Sequence, residues 1–206
     1  MNNSISLTKG NSVSLTKQAP SATKFLIGAS WDERTTEGKD FDLDLMAVAL
    51  TSHGKVRNSN DFFFYGLAKA PGEPFDSADG SLHHNGDNLV GGVGGDSEDS
   101  EQMTIDTTIV PSQIEKIVIM FAIYDAETRH QNFGSVRNAK LRIADANNPN
   151  KDIVTINLSE DFGGETVVNA AEIYRHNGEW KVKSVSQGYR NGIRGALGDF
   201  GLDVTD

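Results

Sequence analysis

Hydrophobic positions along this chain fall into short segments separated by glycine, asparagine and proline, the pattern of a protein built from strands. Lys24-Phe25-Leu26-Ile27-Gly28-Ala29-Ser30-Trp31 is an apolar run of strand length. Residues 40–50 are the most informative segment. Side chains on a strand alternate between its faces, so Asp40, Asp42 and Asp44 share one face while Phe41, Leu43, Leu45, Ala47 and Ala49 take the other. Beyond Asp44 the first face turns apolar too, at Met46, Val48 and Leu50. The pattern predicts a strand buried on both sides with carboxylates only at its beginning.

Asp61-Phe62-Phe63-Phe64-Tyr65 predicts a short aromatic strand, and residues 103–105 another. Residues 114–124 are the most hydrophobic part of the chain and predict a central core strand, although a buried helix of that length would have the same pattern. Residues 133–144, 153–158, 166–175 and 179–186 continue the series, and Asn177-Gly178 predicts a tight hairpin between the last two. At the start, Ser6-Leu7-Thr8-Lys9 is echoed by Ser14-Leu15-Thr16-Lys17, which predicts a hairpin turning at Gly10-Asn11. Residues 190–200 predict a short terminal helix. Many short strands with Asn/Gly turns point to an all-β protein, an antiparallel β-sandwich or barrel; we take the sandwich, a single domain over residues 1–206 with a short C-terminal helix.

Composition narrows the chemistry. The 206 residues include no cysteine, which removes disulfides, thiolate catalysis and Cys-type zinc sites and fits a reducing cytoplasm. No apolar run approaches the roughly 18–20 residues of a membrane helix, and residues 1–10 lack a signal-peptide pattern. The net charge of −10 is unevenly placed: residues 32–101 hold 15 acids against 5 bases, and the rest of the chain 14 of each. Between Lys69 and Glu101 there is no lysine or arginine. Nucleic acid is therefore a poor partner, because phosphate binding needs basic patches.

Buried carboxylates without partners are too costly to keep, so the start of the 40–50 strand must be wet, paired or metal-bound. Taken alone, three solvated acids at an exposed strand end explain the pattern as well as a metal does. The second acidic segment changes the balance. Gly86-Asp87-Asn88-Leu89-Val90-Gly91-Gly92-Val93-Gly94-Gly95-Asp96-Ser97-Glu98 combines carboxylates and a side-chain amide with turn-forming glycines. A hard cation such as Ca²⁺ needs many oxygens in a tightly folding loop, so a calcium-binding sandwich is expected. Gly91 to Asp96 also fits the opening of the repeated calcium nonapeptide, but as one copy, with Glu98 where an apolar residue belongs. The EF-hand spacing is absent.

Other chemistries have weaker support. His83 and His84, as strand neighbours, point to opposite faces and are expected to be a surface pair rather than a chelate. No nucleophile-elbow sequence accompanies the serines and histidines. Acids for glycoside chemistry are plentiful, but their separation is not written in the sequence. The enzyme reading thus lacks a positive signal. Its most specific form is a Mg²⁺- or Mn²⁺-dependent hydrolase using the acidic cluster beside an open coordination position. Acids that merely keep a structural sandwich in solution are a third reading.

The ensemble of motifs resembles the TerD family of tellurium-resistance proteins, bacterial calcium-binding stress proteins. The matching segments are Ser6-Leu7-Thr8-Lys9-Gly10, Gly28-Ala29-Ser30-Trp31-Asp32, Asp40-Phe41-Asp42-Leu43-Asp44, Asp61-Phe62-Phe63-Phe64-Tyr65 and Gly86-Asp87-Asn88. Asn132-Phe133-Gly134, Glu172-Ile173-Tyr174-Arg175-His176-Asn177-Gly178-Glu179-Trp180 and Gln187-Gly188-Tyr189 extend the likeness over nearly the whole chain. The resemblance implies a β-sandwich holding Ca²⁺ at one end, in a non-enzymatic role in tellurite resistance and general stress response. It implies a cytoplasmic location, extending to peripheral association with the inner membrane, and action through other stress and tellurium-resistance proteins. Carried over by residue, Asp42 and Asp44 meet Asp87, Asn88, Asp96 and Glu98 around calcium, with Asp40 as a further candidate. The family loop resembles Gly-Asp-Asn-x-x-Gly-Glu-Gly-Asp-Gly-Asp-Asp-Glu, whereas Gly92, Gly94 and Ser97 replace three of its acids here. Asp99 and Glu101 are candidates to replace them, and weaker calcium binding, or one site fewer, is expected.

Overall fold

The computed structural model describes residues 4–32, 38–87, 89, 99–158 and 162–203. In chain order the strands are β1 (Ile5–Ser6), β2 (Ser12–Ser14), β3 (Lys24–Ser30), β4 (Leu43–Leu50), β5 (Phe62–Phe63), β6 (Phe75–Asp76) and β7 (Leu82–His84). They continue as β8 (Glu101–Asp106), β9 (Lys116–Ile123), β10 (Lys140–Asp145), β11 (Asn148–Asn157), β12 (Val167–His176) and β13 (Glu179–Tyr189). Among the described residues three short helices, α1 (Leu15–Gln18), α2 (Ala126–Arg129) and α3 (Gly192–Asp199), and a few 3-10 turns accompany the strands.

Among the described residues the strands form two sheets. One runs β1-β11-β10-β3-β8-β7-β6 and the other β2-β13-β12-β9-β4-β5. All pairings are antiparallel except β1 on β11. The doubly apolar segment is β4, and its two faces meet two different clusters. Leu43, Leu45, Ala47 and Ala49 face the inter-sheet core with Phe25, Ile27, Met103, Ile105 and Phe121. Met46, Val48 and Leu50 lie on the outer face with Val118, Met120 and Val167, roofed by Ala196, Leu197 and Phe200 at the C-terminal helix. Each fully buried Leu, Ile or Phe of this kind contributes about 1.5–3 kcal/mol, which pins the register of β4.

The predicted central strand is β9, between β12 and β4, and not a helix. The Asn177-Gly178 hairpin forms as expected, with both residues at positive φ (51° and 78°) and β12 paired to β13 from His176↔Glu179 onward. The N-terminal hairpin does not form. β1 joins β11 in one sheet and β2 joins β13 in the other, so the chain between them crosses the sandwich edge. The second echo is also mostly helical: the Ser14 hydroxyl accepts the Lys17 N–H at 3.1 Å and caps α1, which buries Leu15. Two further predicted strands are shorter than their apolar runs. Of residues 61–65 only Phe62 and Phe63 pair, between the 3-10 turns Ser59–Asp61 and Tyr65–Leu67. Within residues 133–144, Phe133–Ser135 is a 3-10 turn and pairing begins at Lys140.

Candidate metal centre

The acidic start of β4 is held by side chains that take its backbone carbonyls before regular pairing begins. The Trp31 Nε1–H donates to the Phe41 carbonyl at 3.0 Å, and Gln131 Nε2 donates to those of Lys39 (2.7 Å) and Asp40 (3.1 Å). The Tyr124 N–H donates to the Asp42 carbonyl at 2.9 Å, and the ladder with β9 starts at Leu43↔Ile123 and Asp44↔Ala122. This anchoring buries Asp42 to 3 % and Asp44 to 5 % exposure. Asp87 arrives from the other sheet, on the loop after β7. Gly86 before it has φ 114° and lies against the Gly72 carbonyl, a conformation and a clearance that exclude a side chain.

Carboxylate oxygens of Asp42, Asp44 and Asp87 lie within 4.8 Å of one another. Asp42 Oδ1 and Asp87 Oδ1 are buried and have no hydrogen-bond partner among the described residues. The nearest compensating charge is Arg129 at the end of α2. Its Nη1 is 3.3 Å from Asp42 Oδ2, and its guanidinium sits 4.9 Å from the Tyr124 ring centre. One guanidinium does not balance the cluster. Burial, then repulsion from Glu101, Asp42 and Asp87, pushes the Asp44 carboxyl up to about 8 against the pull of Arg129. Burial and Asp87 push Asp42 up to about 6, again opposed by Arg129.

The donor set fits a hard cation. Oxygens bound to one Ca²⁺ at about 2.3–2.6 Å stand at most about 5 Å apart, so the three carboxylates can converge on one ion with little movement. The cluster opens into a cleft of about 620 Å³ bordered by Lys39, Lys69, Tyr65, Tyr124 and Arg129. A larger groove of about 1310 Å³, floored by apolar side chains of the outer face, shares Asp44, Tyr65 and Tyr124 with it.

Of the predicted ligands, Asp42, Asp44 and Asp87 come together. Asp40 is exposed at the mouth of the cleft and outside the group of three. Asn88, Asp96 and Glu98 lie outside the described residues. The two candidate substitutes have other occupations. Asp99 is gripped by Arg142, whose Nε and Nη2 donate to its two oxygens at 2.6 Å each. Its carboxylate rests on Gly28, leaving no room there for a Cβ. Glu101 is 3 % exposed, and its Oε2 accepts the Leu45 N–H at 2.7 Å.

The expected surface pair of histidines is half right. His83 is exposed and paired with Asp76 at 2.8 Å, but His84 is 1 % exposed and stacked on Phe75 with ring centres 4.8 Å apart. Burial holds it well below the usual histidine range, at about 4. The signal was present in the alternation: Leu82 and His84 share a face, and that face is the core. Arg129 had no such signal, since nothing in its neighbourhood marks it as a partner of Asp42.

The fold and site define a two-sheet antiparallel sandwich with a buried carboxylate cluster between the start of β4 and the loop after β7. The chain belongs to the TerD family: the TerD domain model matches residues 3–200. It is 42 % identical over 202 residues to the tellurium resistance protein TerD of Serratia marcescens, covering 98 % of this chain and 100 % of that one. General stress protein 16U of Bacillus subtilis is 41 % identical over 201 residues, covering 97 % and 98 %. Among solved structures, a homologue of the telluride resistance protein TerD from Streptomyces coelicolor superposes with a TM-score of 0.65 at 18 % identity, over 87 % of this chain and 96 % of that one; this likeness concerns the fold.

Proposed function

We propose that the protein is a non-enzymatic Ca²⁺-binding member of a bacterial tellurite-resistance and general stress-response system, acting in the cytoplasm or at the inner membrane surface through other proteins of that system. The observation that carries this reading is the convergence of Asp42, Asp44 and Asp87 with two buried carboxylate oxygens that have no donor among the described residues. Bound calcium would supply the positive charge that the cluster lacks and join two segments far apart in the chain. This chain's own residues do the rest. Trp31 and Gln131 orient the strand entrance, and Arg129 holds one oxygen of Asp42 in place. Such a joint has two states, open and closed, with different surfaces around the cleft for a partner to read. The relatives named for tellurium resistance and general stress support the cellular setting.

The test is calorimetric or NMR titration of the wild-type protein and Asp87→Ala with Ca²⁺. Saturable binding by wild type and its loss in the variant are expected, weaker than in relatives that retain the three loop acids missing here. Equal responses of the two proteins would remove Asp87 from the site. Capture of partners with and without chelator then tests the proposed mode of action, and a phosphoester screen with Mn²⁺ separates it from hydrolysis.

A further inference from the structure

Asp44 lies on β4 and Asp87 on the loop that leaves β7 in the facing sheet, yet the two backbones that carry them approach through a pair of buried side chains. β5 covers the edge of β4 only at Ala47 and Val48, so the Leu45 N–H lies beyond the end of that ladder. Glu101, from β8 in the facing sheet, takes this donor at 2.7 Å. Its Oε2 stands 3.6 Å from His84 Nε2. On the far side of the ring, His84 Nδ1 accepts the Gly86 N–H at 3.2 Å. Because Nδ1 accepts, the ring is neutral and carries its proton on Nε2, the nitrogen that faces Glu101. A path of contacts therefore runs from Asp44 through Leu45, Glu101, His84 and Gly86 to Asp87, hydrogen-bonded at Leu45 and Gly86 and closed between Glu101 and His84 by the 3.6 Å approach. Its two side chains are 1–2 % exposed, and Phe75 stacked on the imidazole fixes the ring plane.

We infer that His84 and Glu101 are positioning residues that set the separation of Asp44 and Asp87 and so prepare the three carboxylates for a cation. The inference rests on the calcium reading above. Carboxylates held close repel one another, and without a rigid tie the loop bearing Asp87 would relax outward. Partners one step behind a metal ligand typically change metal affinity by about 10- to 100-fold.

Two substitutions at His84 separate this role from simple filling of space. His84→Phe keeps the stacked ring but lacks an acceptor; His84→Asn loses the ring but keeps an oxygen near the Nδ1 position. Positioning predicts that the Phe variant binds Ca²⁺ about tenfold or more weakly while the Asn variant stays within about threefold of wild type. A packing role predicts the opposite order. Amide hydrogen exchange in the calcium-free proteins reads the tie directly: Gly86 should be protected in wild type and His84→Asn and exchange faster in His84→Phe. Wild-type affinity and Gly86 protection in His84→Phe would overturn the inference while leaving the calcium reading intact. A wild-type protein with no calcium response would overturn both.

Discussion

Two buried carboxylate sites in this protein are built on opposite plans. Asp99, with its side chain 3 % exposed, meets a guanidinium face to face through two 2.6 Å bonds, and Arg142 turns its remaining edge to Asp152 (3.0 Å) and the Pro149 carbonyl (2.7 Å). Every charge there has a partner, and the result is a closed structural joint. Asp42, Asp44 and Asp87 share one arginine at 3.3 Å, and two of their oxygens have no donor among the described residues. The first site is complete within the chain; the second is the one for which we propose a cation from outside. The contrast shows that acid density in the sequence does not by itself mark a metal site. What marks it is acid density that the fold declines to neutralise.

Removing the cation from the complete site should have the largest effect. Arg142→Met strands Asp99 in the interior and should cost about 3–5 kcal/mol in chemical denaturation, whether or not calcium is present. The open site should respond in the reverse sense. Asp44→Asn replaces a carboxyl that is protonated below about pH 8 with its neutral isostere, so metal-free stability at neutral pH should hold, while calcium affinity drops about a hundredfold, equivalent to about 2.7 kcal/mol. A variant that lost metal-free stability as Arg142→Met does would erase the distinction.

The smallest effect, and the sharpest in sign, is the pH dependence of the metal-free protein. Asp44 has a folded value of about 8 against an ordinary 3.8, so above pH 4 the folded state holds a proton that the unfolded chain has released. Stability must then fall as pH rises toward 8, by at most about 1.4 kcal/mol per unit for one proton. Asp42 acts likewise up to about 6. His84, lowered from 6.5 to about 4, acts in the other direction, removing stability as pH falls through that range. Between pH 6.5 and 8 Asp44 is the chief contributor of these three. Thermal melts in that window should decline with pH for wild type and flatten for Asp44→Asn, while calcium affinity climbs as the competing proton leaves.

The sequence disclosed these regions unequally, for physical reasons. Period-two alternation is local, so the two-faced burial of β4 and the central place of β9 were legible from their own residues. Pairing partners are not local: the repeated Ser-Leu-Thr-Lys looked like a hairpin because nothing nearby shows that the free edges of β11 and β13 lie over a hundred residues downstream. At the site, Asp42, Asp44 and Asp87 stood out by density and spacing. Asp99, a candidate substitute for the missing loop acids, belongs to the closed joint, because only the fold brings Arg142 to it. His84 was misjudged as one of an adjacent pair, although its alternation with Leu82 already placed it inward.

The route of residues 5–14 has a consequence for how the molecule is made. β1 is an edge strand of one sheet and β2 of the other, and both dock on segments near the carboxyl end. On the ribosome this stretch emerges well before its partners and must wait, unpaired, until β11 and β13 have been synthesised. It is then the last piece to settle, like a latch drawn across a finished lid, and the slow step of assembly should be the closing of that long chain loop.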